Sequence, residues 1–186
     1  MNTRGIVQFG DTVLRARCEK VADFESEGWK DLAGKLLVAT RQSGRVGVAA
    51  PQIGYPVRAF AAWMGGPGLG ELRVFANCRI VNQGGEQRGN EGCLSVAGRW
   101  FHITRSERVS LVAQDATGAP FDLELFGLDA RAIQHECDHL DGILVVDRAY
   151  EQSRTLPRQQ RRTIERELAK VSYSPSNTTK QGENNE

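Results

Sequence analysis

The chain has no apolar run approaching the ~20 residues needed to span a bilayer, and its opening, Met1-Asn2-Thr3-Arg4-Gly5, lacks the apolar core of a secretory leader. A cytoplasmic, membrane-free protein is the expectation. Charge of either sign is not in excess: 24 Lys and Arg face 23 Asp and Glu, for a net +1. This excludes a global basic field that would recruit nucleic acid. Cysteine is sparse, with Cys18, Cys78, Cys93 and Cys137 only. The even number could pair into two disulfides, but a cytoplasmic location argues for free thiols or metal ligation. There is no internal repeat. With 186 residues, 40% hydrophobic and 25% charged, one domain with a full core is expected, ending near residue 171. The remainder, Ser172 to Glu186, is polar and without apolar periodicity, which predicts a disordered tail.

Histidine is scarcer still, at three residues, and two of them stand in Gln134-His135-Glu136-Cys137-Asp138-His139. On a helix, positions four apart share one face. His135 and His139 would then present two imidazoles to one divalent ion, with Glu136 beside it to take a proton from an ion-activated water. Leu128, Ala132, Ile133 and Leu140 give that segment helical periodicity, and Gly142 stands where a left-handed C-terminal residue is usual. Upstream, Leu123 and Leu125 alternate with polar neighbours, as in a strand.

Other elements follow from the same patterns. Trp29, Leu32, Leu36, Leu37 and Thr40 predict an early helix ended near Gly44. Strands are expected over 57–63, 72–81, 108–114 and 121–126, with turns at Gly65-Gly66-Pro67-Gly68 and Asp115-Ala116-Thr117-Gly118. A last helix from about Pro157 to Val171 carries Arg158, Arg161, Arg162 and Arg166. It reads as a solvated charged face that could still touch ribosomal RNA. The fold class is α+β, mostly antiparallel strands around a central metal-binding helix with a C-terminal helix behind.

Two histidines leave a catalytic site one protein ligand short. The third must come from His, Asp, Glu or Cys elsewhere. Cys93, in Glu91-Gly92-Cys93-Leu94-Ser95, is the best candidate, because the glycine before it permits close backbone approach; read alone, it is equally a small buried hydrophobe. Glu91, Arg105 and Asp138 could pair behind the ligands, although surface charges explain them almost as well. His102 reads as an ordinary satisfied or exposed histidine, and Cys18, Cys78 and Cys137 as structural.

Three segments in this order, Val46-Gly47-Val48-Ala49-Ala50-Pro51-Gln52, Glu91-Gly92-Cys93-Leu94-Ser95 and Gln134-His135-Glu136-Cys137-Asp138-His139, resemble the peptide deformylase family, and the similarity runs from about residue 4 to 170. The resemblance implies that Cys93, His135 and His139 bind one divalent ion, ferrous iron in the usual enzyme, with zinc, nickel or cobalt able to replace it. It implies that Glu136 is the acid and base. Gln52 and the backbone N–H of Leu94 would stabilise the oxyanion, Val46, Gly47 and Gly92 would pair with the peptide, and Val46, Leu128, Arg131 and Ala132 would line the methionine pocket. Substrates would be nascent chains starting with N-formylmethionine.

Three positions depart from the family pattern. Arg45 replaces the usual opening glycine and puts a cation at the groove's rim. Ala97 replaces a common proline, with the bulky Trp100-Phe101-His102 following. Gly89 stands where a larger apolar residue often walls the methionine pocket, so that pocket is expected to be remodelled. Beside a deformylase of nascent chains, two alternatives remain open at this point: a hydrolase of another N-formyl or small N-acyl compound, and an inactive ribosome- or metal-binding paralogue.

Overall fold

Ser26 starts the first helix, α1 (Glu27–Ser43), by accepting a hydrogen bond from the backbone N–H of Trp29. Gly44, at φ 63°, ends it in the left-handed conformation that glycine adopts without steric cost. The computed structural model describes residues 5–66 and 70–175. Residues 1–4, residues 67–69 with Pro67 and Gly68 of the glycine-rich turn, and residue 176 onward of the polar tail lie outside them.

After α1 come β1 (Gly47–Ala49), β2 (Ala59–Met64), β3 (Glu71–Gly84), β4 (Gln87–Gly92), β5 (Trp100–Arg105), β6 (Arg108–Gln114) and β7 (Pro120–Phe126), then α2 (Gly127–Leu140), α3 (Val145–Ser153) and α4 (Arg158–Ala169). Five strands form one antiparallel sheet in the order β1-β2-β3-β6-β7, while β4 and β5 form a separate antiparallel hairpin. The class is therefore α+β, with antiparallel pairing throughout the named strands.

Alternation along β2 shows how the sheet is covered. Ala59 and Ala61 pack with Trp29, Leu32 and Leu36 of α1. Phe60 and Ala62 face the other way, toward Ile133 and Leu140 of α2, and Phe60 stacks on Phe75 at 4.8 Å between ring centres. The sheet is thus held between α1 and the histidine-bearing helix. A third apolar cluster joins Phe101 and Ile103 of the hairpin to Val145, Val146 and Ala149 of α3 and Leu168 of α4.

The strand β3 shifts register near Asn77, which has φ 52°. Its side chain exchanges two hydrogen bonds with the backbone of Val21 and donates a third to Gln114, holding a conformation that asparagine tolerates better than most residues.

Four named elements were not foreseen: β1, β4, β5 and α3. The strand β4 reads Gln-Arg-Gly-Asn-Glu-Gly, without the β-branched or aromatic residues that mark a strand, and it exists because Gln87 through Gly92 pair with Arg105 through Trp100. The helix α3 opens on two valines. Its start is fixed by Asp147, whose carboxylate accepts the Leu144 N–H at 2.7 Å and also pairs with Arg15.

Candidate active site

Helix α2 delivers the imidazoles as the motif requires, with His135 and His139 one turn apart and ring centres 5.0 Å from each other. Cys93 arrives from the loop after β4. The Sγ of Cys93 lies 3.4 Å from Nε2 of His139, and ligand atoms of Cys93, His135 and His139 all fall within 4.8 Å of one another. Tetrahedral bonds of ~2.3 Å to sulfur and ~2.05 Å to nitrogen would put such a pair about 3.5 Å apart. Among the described residues this is the group of His, Cys, Asp or Glu side chains that meets so closely.

Electrostatics favour the Cys93 thiolate and a protonated His135: burial opposes the imidazolium, but hydrogen bonding to Cys93 and Glu91 holds its pKa well above the usual value, so an incoming ion displaces that proton. Burial penalises the Cys93 thiolate, but the charges and hydrogen bonds of His139 and His135 overcome it and hold its pKa well below that of an ordinary thiol. Burial likewise opposes a charged Glu91. Hydrogen bonds from His135 and Arg105 win there, keeping this carboxyl far below the usual range. An ionised Glu91 accepts the Nδ1–H of His135 at 3.1 Å, which leaves Nε2 and its lone pair for an ion.

Glu91 is itself held by arginines. Arg105 binds it through two nitrogens at 3.0 and 2.9 Å and reaches Asp138 at 2.5 Å, and Arg131 adds a contact of 2.7 Å. Asp138 also takes two bonds from Arg148. The expected Glu91, Arg105 and Asp138 cluster is therefore present, enlarged by two arginines that sequence reading did not include. For Arg131 a signal existed, since it stands four residues before His135 on the same helical face. Arg148 had none.

Glu136 is 4% exposed, and burial raises its pKa. Its Oε2 has no hydrogen-bond partner. An unpaired, buried carboxylate oxygen beside three metal-capable ligands is placed to handle the proton of a water or substrate rather than to stabilise the fold.

The orientation of Gln52 is fixed by one bond. Its Oε1 accepts the Ala49 N–H at 2.9 Å, so the amide nitrogen must face the other way, where it lies 3.5 Å from Cys93 Sγ and 3.3 Å from Ser95 Oγ. Its N–H groups thereby donate to the Cys93 Sγ and the Ser95 Oγ, next to the three metal-capable ligands. Leu94, buried, follows Cys93 in the same wall.

These groups open into a cavity of about 210 Å³ whose lining includes all the substrate-contact candidates: Val46, Gly47, Gly92, Leu128, Arg131 and Ala132. The sheet ends at β1, and β4 has β5 as its partner. The cavity therefore lies between two strand edges, the arrangement that accepts an extended peptide by backbone pairing. Gly89 does not widen the pocket. A Cβ there would meet the Arg131 guanidinium at 3.3 Å, so the arginine occupies the space a larger residue would take. Ala97 is exposed in the turn before β5, and His102, exposed, contacts Asn90 at 3.2 Å away from the ligands. Cys18 and the pair Cys78 and Cys137, with sulfurs 3.7 Å apart, are buried free thiols. A larger cleft of about 510 Å³ lies beyond Arg105 and Asp138. It is lined mainly by arginines, carboxylates and amides, and no histidine reaches it.

Residues 3–155 match the family model described as polypeptide deformylase. The chain is 39% identical to peptide deformylase 1 of Clostridium perfringens over 138 residues, spanning 74% of this chain and 91% of that one. It is 37% identical to the peptide deformylase of Dictyoglomus thermophilum over 150 residues, 81% of this chain and 95% of the other. Its structure is similar to the crystal structure of peptide deformylase from Thermus thermophilus, with a TM-score of 0.77 and 38% identity, covering 90% of this chain and 93% of that one.

Proposed function

Since the chain belongs to the peptide deformylase family, we propose that Cys93, His135 and His139 hold one divalent ion, ferrous iron in the cell, and that Glu136, Gln52 and Leu94 carry the chemistry around it. The chain is a hydrolase that removes the N-formyl group from nascent polypeptides and releases formate. When bound, the ion supplies Lewis acidity, polarising the formyl oxygen and acidifying water.

The protein's own residues account for the rest. Glu136 takes the proton of the attacking water through its unpartnered oxygen and returns it to the amine as the C–N bond breaks. Gln52 Nε2 and the Leu94 N–H donate to the oxygen that becomes negative. Backbone groups of Val46, Gly47 and Gly92 align the peptide along the two strand edges, and the first side chain enters between Leu128, Arg131 and Ala132. A formyl carbon bears only hydrogen, so this narrow site admits it and excludes bulkier acyl groups.

The observation that carries this reading is the meeting of a thiolate, two imidazoles, an unpaired glutamate and an oriented amide at one cavity, which all of them but the buried His139 line. Anaerobically purified, iron-loaded protein assayed on formyl-Met peptides and on other N-formyl compounds tests it. Turnover restricted to the non-peptide compounds would replace it with the alternative substrate class. Placement in the cytoplasm accords with the absence of any described helix long and apolar enough to cross a membrane. Contact with the ribosome is supported by Arg158, Arg162 and Arg166, exposed at four-residue intervals along α4.

A further inference from the structure

Arg45 precedes β1 on one bank of the cavity. On the opposite bank Trp100 opens β5, paired in register with Gly92. The two side chains meet across the entrance, with the Arg45 guanidinium carbon 5.1 Å from the Trp100 ring centre, and both line the cavity that holds Cys93, Gln52 and Glu136. Trp100 is held flat against its own bank: a Cβ on Gly92 would come within 3.1 to 3.2 Å of three ring atoms. Only glycine lets the indole lie this close. Although 48% exposed, the ring thus lies close against the Gly92 backbone on one side and beside the arginine on the other.

From this geometry we infer that Arg45 and Trp100 form a clasp over the peptide groove that selects the residue following the formylated one, favouring an acidic side chain. The inference rests on the deformylase reading and deepens it. Gly47 lies beside Glu136, and Arg45 is two residues farther out, about 7 Å at ~3.3 Å per extended residue. A peptide whose formyl group reaches Glu136 therefore brings its next residue under the clasp. A guanidinium at this place brings a fixed positive charge and several N–H donors to the mouth of the groove, which suit a carboxylate. A lysine in the same place would meet a like charge. Arg45 is the selecting group, and Trp100 is a positioning residue acting through it.

The test uses the metal-loaded protein and the peptides formyl-Met-Asp-Ala and formyl-Met-Lys-Ala, with separate kcat and KM values. Wild type should prefer Asp by about two- to fivefold in kcat/KM at low salt, mainly through KM, with the ratio shrinking at high salt. Arg45→Gly should bring the ratio close to unity. Trp100→Ala should do most of the same with the arginine still present, Trp100→Phe should restore the preference, and the double variant should resemble Arg45→Gly alone. A ratio unmoved by Trp100→Ala, or losses that multiply in the double variant, would overturn the clasp. Failure of the wild type to turn over either peptide would instead remove the deformylase reading beneath it.

Discussion

Replacing Gly47 by alanine separates the chemical role of Glu136 from its contribution to folding. Gly47 is not among the glycines with positive φ, so an alanine backbone is permitted there. The obstacle is space: the added Cβ would sit 2.7 Å from Oε1 of Glu136 and 2.9 Å from both Cδ and Cγ. Ordinary contact begins near 3.4 Å, so the carboxylate must retreat by roughly 0.7 Å, and because three consecutive atoms are involved, turning the carboxylate alone does not relieve the clash. Glu136 is 4% exposed and has little room to move. A misplacement of about 1 Å at a reacting group can cost on the order of 10²-fold. Gly47→Ala should accordingly lower kcat by roughly that factor while keeping its metal, with a stability loss of about 1–3 kcal/mol, typical of one extra methyl in a packed site. Steady-state kinetics on a formyl-Met peptide, elemental analysis and thermal melts read the three quantities separately. A rise in KM with unchanged kcat would show that the methyl blocks the peptide instead, and activity within threefold of wild type would refute the argument.

The other predictions concern the ligands and their supports. Cys93→Ala should release the ion, and full occupancy by elemental analysis would dismiss the thiolate as a ligand. Glu136→Ala should retain metal yet lose about 10²–10⁴-fold in turnover; near-normal activity would require another base. Glu91→Gln takes a charged carboxylate from Arg105 and Arg131 and removes the charged acceptor of His135. Metal affinity should fall about 10- to 100-fold in a chelator competition, and an unchanged affinity would make Glu91 irrelevant to the ligand. In acid, Glu91 and Asp138 are both held below their ordinary values of 4.5 and 3.8. Burial opposes this in each case, while His135 and Arg105 lower Glu91, and Arg148 and Arg105 lower Asp138. The stability they contribute is complete above about pH 4.5 and is lost as pH falls toward their folded values. Urea midpoints of chelator-stripped protein between pH 6 and 3 should therefore drop less steeply in Glu91→Gln than in wild type.

What sequence could reveal about this molecule follows the range of the interaction involved. Helix α2 was legible because its face repeats every three to four residues and its purpose fixes two of them. The hairpin β6–β7 was legible through its turn, where Asp115 accepts bonds from the N–H groups of Thr117 and Ala119 and Gly118 takes φ 87°. The strand β4 was hidden because its only argument for being a strand is its partner, β5. The same holds for the charges behind His135. Glu91 and Arg105 are 14 positions apart, and Arg105 and Asp138 33 apart, so each looks like surface charge until the hairpin is laid against α2.

Departures from the family pattern show the same limit. Gly89 and Arg45 were each visible as unusual, but the physical meaning of each resides in a distant residue. At Gly89 the absent side chain reads, in sequence, as an opening of the methionine pocket, whereas Arg131 occupies that space and spends its Nη1 on Glu91 and the Ile103 carbonyl and its Nη2 on the Gln87 carbonyl. The wall of the pocket and the support of the metal ligands are consequently one structure. Enlarging Gly89 would press on the guanidinium, the guanidinium on Glu91, and Glu91 on the Nδ1–H that orients His135. Substrate preference and metal affinity in this chain should therefore be coupled through Arg131, and a substitution chosen to reshape the pocket is to be judged by metal content as well as by turnover.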